Sequence, residues 1–158
     1  MELGKLAELV GGSMVHGDQD RRQFVGVSID SRSIGSGQLF IALRGQRTDG
    51  HEYLSQALER GASAVLVEST SPRLTGLSPS APVISVPDTH TAMVRLAKAY
   101  RDSVPAVRIG ITGSNGKTTT KEITYTLISL VSPDAYRSSG NLNNLYGVPL
   151  ALFAMPQE

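Results

Sequence analysis

The feature that most constrains this chain is the stretch from Val107 to Leu130, where an apolar run, a glycine loop and a helical pattern follow one another. Residues 107–112 are apolar and rich in β-branched side chains, which predicts a strand. A loop of small residues follows at 113–116, and Lys117-Thr118 then open a segment with apolar side chains at helical spacing. Strand, glycine loop and helix in this order are typical of a phosphate-binding loop.

Each residue type in this loop has a chemical reason to be there. Glycines allow backbone conformations closed to other residues, so that successive N–H groups can point at one phosphate. The following helix adds the positive end of its dipole and N–H groups that lack partners. Lys117 can then reach the β- and γ-phosphate oxygens, and the Thr118 hydroxyl can bind Mg2+. We therefore expect ATP and Mg2+ as cofactors, Lys117 as the catalytic residue, Thr118 as the metal ligand, and an ATP site formed by Thr112, Gly113, Ser114, Asn115, Gly116, Lys117, Thr118 and Thr119.

The loop departs from the usual G-x-x-x-x-G-K-[ST] pattern, because Ile111 stands where the first glycine belongs. Its glycines lie at 110, 113 and 116. An alternative interpretation is a glycine-rich turn with a solvated lysine at the start of a helix. Phosphate binding is favoured because it alone explains why strand, loop, Gly-Lys-Thr and helix coincide.

The composition of the chain limits which other classes of function are possible. With 158 residues, 40% of them hydrophobic, the chain can form one domain or two small ones. A net charge of +1 gives no field that would steer nucleic acid or an anionic membrane. No run approaches the roughly 18 apolar residues of a membrane span, and the N-terminus lacks the pattern of a signal peptide. The absence of cysteine fits a cytoplasm. We expect a cytoplasmic monomer that binds neither nucleic acid nor membrane.

Before the phosphate loop, helical and strand patterns alternate. Helices are predicted at 3–10, at 52–60 and from Thr89 onwards, where Asp88 or Thr89 caps the helix. Strands are predicted at 25–29, 39–43, 64–67 and 83–86. The fold class is therefore α/β: a small N-terminal α/β domain over residues 1–86, then, over 87–158, the start of a P-loop parallel-sheet ATP-binding domain, with the boundary near 87–105.

Beyond the phosphate-loop helix the patterns are shorter. Residues 134–137 predict a brief strand, and three asparagines follow within 141–144. They form either a hydrogen-bonding loop for a ligand or an ordinary turn. Val148-Pro149 begin a predicted helix that continues to Met155. Because a parallel sheet needs several βα units and this region supplies barely two, we expect the chain to be the front part of a longer protein.

With these residues in place, the sequence resembles the Mur ligase family, whose ATP loop has the same T-G-x-N-G-K-T spacing as residues 112–118. Residues 30–32, 39–45 and 49–51 resemble the N-terminal domain of the MurE and MurF types, which holds the uridine end of the substrate. Residues 140–149, with Gly-Asn-Leu-Asn-Asn and Gly-Val-Pro, are similar to the MurF type in particular. The resemblance covers essentially the whole chain.

The resemblance implies an ATP-dependent ligase of peptidoglycan precursor synthesis, which joins D-Ala-D-Ala to UDP-N-acetylmuramoyl-tripeptide through an acyl phosphate. Such enzymes have further domains, so we expect this chain to be inactive alone. Arg32 has an alternative role as the partner in a surface ion pair. The implied substrate-binding residues are Asp30, Ser31, Arg32, Gly45, Gln46 and Arg47 beside the uridine diphosphate, with Asn141 and Asn144 near the phosphates and the muramoyl sugar.

Two other functions stay open at this point. One is a different amide ligase with the same loop, of the MurE or folylpolyglutamate synthase type. The asparagine loop and the N-terminal region weigh against it. The other is a truncated, non-catalytic module that binds a nucleotide or a UDP-sugar.

Overall fold

The fold is that of a computed structural model, which describes residues 1–16, 21–138 and 145–156. Two short 3-10 helices lie at Gly50–Tyr53 and Pro72–Gly76. The other elements are α1 (Leu3–Val10), β1 (Ser13–His16), β2 (Val27–Ser28), β3 (Leu39–Ile41), α2 (Leu54–Glu59), β4 (Ala64–Glu68), β5 (Val83–Val86), α3 (Thr89–Ser103), α4 (Lys117–Ser129) and α5 (Gly147–Phe153).

The chain divides into two compact units, which we call the first unit (Met1–Lys98) and the second unit (Ala99–Glu158). The division falls within α3. The domain boundary expected after residue 86 stays a prediction. No helix in the described ranges is long and apolar enough to span a bilayer.

A five-stranded sheet forms the centre of the first unit, with the strand order β1-β5-β4-β3-β2. Strands β2 to β5 are parallel, and β1 joins the edge antiparallel to β5. All residues of β3 and β5 are buried, as are the first four of β4. Continuous apolar runs of this kind suit parallel strands that are covered on both faces. The predicted α/β class is confirmed.

Strand β1 is an element that the sequence patterns did not predict. It is short, and its four residues are alternately exposed and half-buried, because it lies at the edge of the sheet. The preceding Gly12 permits the close approach: a Cβ atom there would lie 2.6 Å from the carbonyl oxygen of Ser85 and 2.6 Å from a methyl carbon of Val86. The strand therefore depends on a contact between residues far apart in sequence.

Helices α1 and α3 form as their periodicity predicts. Helix α1 ends at Gly11, whose φ of 71° lies in the left-handed region that favours glycine. Helix α3 begins after Asp88, whose carboxylate accepts a hydrogen bond of 2.6 Å from the Thr91 N–H. Hydrogen bonds from the side chain and backbone of Thr91 lower the pKa of Asp88, which keeps this cap ionised. Arg95 links the helices by donating to the Val10 carbonyl oxygen at 3.0 Å.

The second unit contains the two predicted helices, α4 and α5, but neither predicted strand. The strand predictions at 107–112 and 134–137 are wrong for this structure. An extended segment becomes a strand only when a neighbouring backbone pairs with its N–H and C=O groups, and no such neighbour lies beside these residues among those described. Val107 is accordingly 95% exposed.

Candidate nucleotide sites

The predicted phosphate loop has the backbone geometry that its glycines suggest. Gly113 and Gly116 have φ values of 149° and 75°, which L side chains rarely adopt. Gly116 is the N-cap of α4, and no side chain caps this helix. The first N–H groups of a helix have no partner within it. Apart from the chain neighbours of Gly116, no atom lies within 4 Å of the place where its Cβ would be, so the space beside this N-cap is open.

Lys117 lies across this loop. Its ammonium donates hydrogen bonds to the carbonyl oxygens of Gly113 and, at 3.4 Å, of Ser114. Thr118 and Thr119 are exposed in the first turn of α4. This set offers a cation, backbone N–H groups and hydroxyls on one surface, which suits a triphosphate whose Mg2+ takes few protein ligands. The residues from Thr112 to Thr119 therefore fit the predicted group.

The first predicted substrate segment, residues 30–32, forms a tight turn after β2. The Asp30 carboxylate accepts hydrogen bonds from the Arg32 backbone N–H and Nε, both at 2.9 Å, and from Nη2 at 2.7 Å. These bonds from the side chain and backbone of Arg32 lower the pKa of Asp30 to about 2. The ion pair considered as an alternative for Arg32 is thus present, with Asp30 as its partner. Arg32 nevertheless remains exposed.

Helix α2 supports this turn through residues that the sequence patterns did not single out. Ser31 is buried, and its hydroxyl donates to Gln56 Oε1 at 2.6 Å. Arg60, the C-cap residue that follows α2, donates to the carbonyl oxygen of Arg32. The turn is therefore anchored from behind, while the Asp30 and Arg32 side chains face outward. Gln56 and Arg60 carry no local signal, because their role depends on how α2 packs.

The second predicted segment, residues 45–47, belongs to a turn between β3 and α2. The Gly45 N–H donates to the Thr48 carbonyl oxygen at 2.9 Å, and Gln46 and Arg47 are exposed at its tip. Because β2 and β3 are parallel neighbours, the loops that follow them leave from the same edge of the sheet. Residues 30–32 and 45–47 are thereby brought to one edge. Asn141 and Asn144 lie outside the described residues.

Both regions that carry these loops match models of one class of ligase. Residues 23–101, half of the chain, match the model of the Mur ligase family, catalytic domain, and residues 111–158 match that of the Mur ligase middle domain. The chain belongs to the Mur ligase family, which uses ATP.

Individual relatives show which types of Mur ligase the chain is similar to. The chain is 40% identical to the UDP-N-acetylmuramoyl-tripeptide--D-alanyl-D-alanine ligase of Bacillus subtilis over 97% of its own length and 33% of the relative. It is 41% identical to the UDP-N-acetylmuramoyl-L-alanyl-D-glutamate--2,6-diaminopimelate ligase of Geobacter sulfurreducens over 82% of its length and 25% of that protein. The chain therefore spans about a third or less of the relatives it matches.

Two solved structures of MurF are also similar to this chain. A crystal structure of MurF from Acinetobacter baumannii superposes with a TM-score of 0.83 at 33% identity, covering 98% of this chain and 33% of that one. MurF ligase from Thermotoga maritima in complex with ADP gives a TM-score of 0.70 at 30% identity, covering 84% and 29%.

Proposed function

We propose that this chain carries the uridine-nucleotide region and the ATP loop of a cytoplasmic ligase that joins D-Ala-D-Ala to UDP-N-acetylmuramoyl-tripeptide. ATP is consumed and Mg2+ is required. The observation that carries the proposal is the loop ending in Lys117, with glycines at positive φ and an uncapped helix start, in a chain that matches a ligase of this name over 97% of its length. Activity, substrates and partners belong to the whole ligase. The relative from Bacillus subtilis is about three times as long as this chain.

The proposed reaction brings together two anions, a carboxylate and a triphosphate. A carboxylate oxygen of the tripeptide attacks the γ-phosphorus of ATP, and ADP leaves. The amine of D-Ala-D-Ala then attacks the acyl phosphate carbon, and inorganic phosphate and the amine's proton leave as the amide forms. Lys117 and the N–H groups at the start of α4 would offset the negative charge on the transferred phosphoryl group, and the Thr118 hydroxyl would hold Mg2+, which supplies further positive charge when bound. Fixed donors of this kind reduce the repulsion that otherwise keeps the reactants apart.

We propose that the two loops at the edge of the first unit bind the uridine diphosphate end of the substrate. Arg32 and Arg47 are exposed cations near the ends of adjacent parallel strands. Ligands usually bind in loops at strand ends. Asp30 then orients Arg32 toward a phosphate, since it holds the guanidinium by two contacts.

A second candidate is a ligase that adds a diamino acid instead of a dipeptide, and the 41% identity to a diaminopimelate ligase favours it. The two reactions differ in the nucleotide substrate: a dipeptide precursor for the diamino acid ligase and a tripeptide precursor for the D-Ala-D-Ala ligase. Calorimetric titration of the chain with each precursor distinguishes them. Tighter binding of the dipeptide precursor would favour the second candidate.

The ATP site is tested by replacing Lys117. We expect Lys117→Ala to bind ATP and Mg2+ roughly ten- to hundredfold more weakly in calorimetry, because it loses a charge-assisted contact with phosphate. Lys5→Ala is the matched control, since Lys5 lies in α1, outside the phosphate loop, is 75% exposed, and has its ammonium 4.0 Å from Glu2. Equal affinities of the wild type and Lys117→Ala would refute the assignment.

A further inference from the structure

Four polar residues form a closed ring between the loop that follows β3 and the end of β4. Arg44 Nε lies 3.4 Å from Asp49 Oδ2, and Arg44 Nη2 lies 3.0 Å from Glu68 Oε2. His51 Nδ1 lies 2.6 Å from Asp49 Oδ1. The Glu68 backbone N–H donates to His51 Nε2 at 2.9 Å and completes the ring. We call this set the Arg44 ring.

The hydrogen bonds assign the tautomer of His51. Because Nε2 accepts the Glu68 N–H, it carries no proton, and the ring proton is on Nδ1, where it is donated to Asp49. The side chain of His51 is only 1% exposed, so its ring is shielded from water. Burial raises the pKa of Asp49, but hydrogen bonds from the backbone and ring of His51 outweigh it, and the pKa is lowered. A neutral imidazole therefore bridges a carboxylate and a backbone amide.

The ring fixes both ends of the turn that carries residues 45–47. Arg44 precedes this turn and Asp49 follows it, and the two also pair through a backbone bridge. Gly50 completes the closure: its N–H donates to the Leu43 carbonyl oxygen at 2.9 Å, and a Cβ there would lie 2.8 Å from the Leu43 nitrogen. His51 ties this assembly to β4, the next strand of the sheet.

We propose that His51 is a positioning residue that holds the 45–48 turn in a single conformation before the substrate arrives. Its two hydrogen bonds transmit the rigidity of β4 to the turn through Asp49. A turn that is already ordered loses less entropy when a ligand binds, so affinity rises without any contact between His51 and the ligand. The role in ligand affinity rests on the proposed function of the turn, whereas the ordering of the turn does not.

The ordering is tested in the free 158-residue chain by hydrogen exchange of single amides measured by NMR. In His51→Leu, which can make neither bond, we expect the Gly45 and Gly50 amides to exchange roughly ten- to a hundredfold faster, as for the loss of a hydrogen bond to a charged group. His51→Asn keeps a donor for Asp49, and we expect an intermediate rate. This milder variant also keeps the test decisive if His51→Leu does not fold.

The control separates local ordering from general stability. Leu6→Ala removes a fully buried side chain in α1, so it lowers global stability without touching the ring. We expect it to accelerate the Val65 amide, which pairs with Pro82 in the sheet, but not those of Gly45 and Gly50. If His51→Asn and Leu6→Ala change the two turn amides equally, the positioning role is overturned.

The second measurement is the affinity of each variant for UDP-N-acetylmuramoyl-tripeptide, by calorimetry well below the unfolding temperature. We expect His51→Leu and His51→Asn to bind more weakly than Leu6→Ala, in the order of their turn exchange rates. Unchanged affinity in a variant whose turn exchanges faster would overturn the positioning role. A wild-type chain that does not bind the nucleotide would instead refute the proposed function, and the exchange rates alone would then decide whether His51 orders the turn.

Discussion

The two units hold their predicted nucleotide loops in different ways. In the first unit the 45–48 turn follows the buried strand β3 and is fixed by the Arg44 ring, and the 30–32 turn is fixed by contacts with α2. In the second unit the 113–116 loop is bonded to Lys117, and the helix it precedes, α4, has no fully buried residue. Local sequence is sufficient for a turn and a helix. A rigid site also needs neighbouring elements to pack behind it, and these are seen in the first unit.

The largest expected difference between the units is in the loss of unfolding free energy when a leucine is truncated to alanine. Leu66→Ala in β4 removes a side chain that is 0% exposed, and we expect it to lower the free energy of unfolding by about 2–5 kcal/mol. Leu127→Ala in α4 removes one that is 61% exposed, and we expect a change of about 0.5 kcal/mol or less. Urea unfolding followed by circular dichroism measures both. Similar losses would mean that α4 packs against apolar surface in solution.

Glycine replacements test the same comparison of the two units, with a smaller expected change in the free energy of unfolding. We expect Gly50→Ala to cost about 1–3 kcal/mol, because the new methyl group would meet the backbone nitrogen and oxygen of Leu43 at 2.8 and 2.9 Å. Gly110→Ala is the counterpart in the second unit, where no atom lies within 4 Å of the added carbon. We expect about 0.5 kcal/mol or less there. A Gly50→Ala chain as stable as the wild type in the same unfolding experiment would show that the 44–50 loop is not closed as described.

The smallest expected effect is the response of the 30–32 turn to acid. The pKa of Asp30 is lowered from 3.8 to about 2, so its contribution to stability is present above pH 3.8 and is lost as the pH falls through about 2. The contribution is small because the pair is exposed. NMR titration of the Asp30 carboxyl carbon should give a midpoint near 2 in the wild type. In Arg32→Gln we expect it to move toward 3.8, and an unchanged midpoint would contradict the pairing.

Elements that depend on nearby residues were predictable, and those that depend on distant residues were not. Side chains at helical spacing predict α1 and α4. The capping role of Asp88 is predicted by its position just before a helical run. The contact of His51 with the Glu68 amide joins residues whose proximity depends on strand pairing. The strand expected at 107–112 failed for the same reason, since β-branched composition does not provide a neighbouring strand.

For the candidate sites, the motif located the glycine loop, the lysine and the threonine of the phosphate site, because their spacing is local. The resemblance to a family suggested the 30–32 and 45–47 segments. Neither could identify Gln56 in α2 and Arg60 at its C-cap, because their hydrogen bonds to the 30–32 turn depend on where α2 lies in the fold. The roles of all these residues in binding stay predictions.

We propose that each unit carries its own nucleotide site. It is tested most directly by following the backbone amides of the whole chain by NMR during separate titrations with UDP-N-acetylmuramoyl-tripeptide and with ATP and Mg2+. We predict that the uridine substrate shifts resonances of residues 30–32 and 45–47, and that ATP shifts those of residues 113–119. Both ligands shifting the same set, or the uridine substrate shifting only the phosphate loop, would contradict the account.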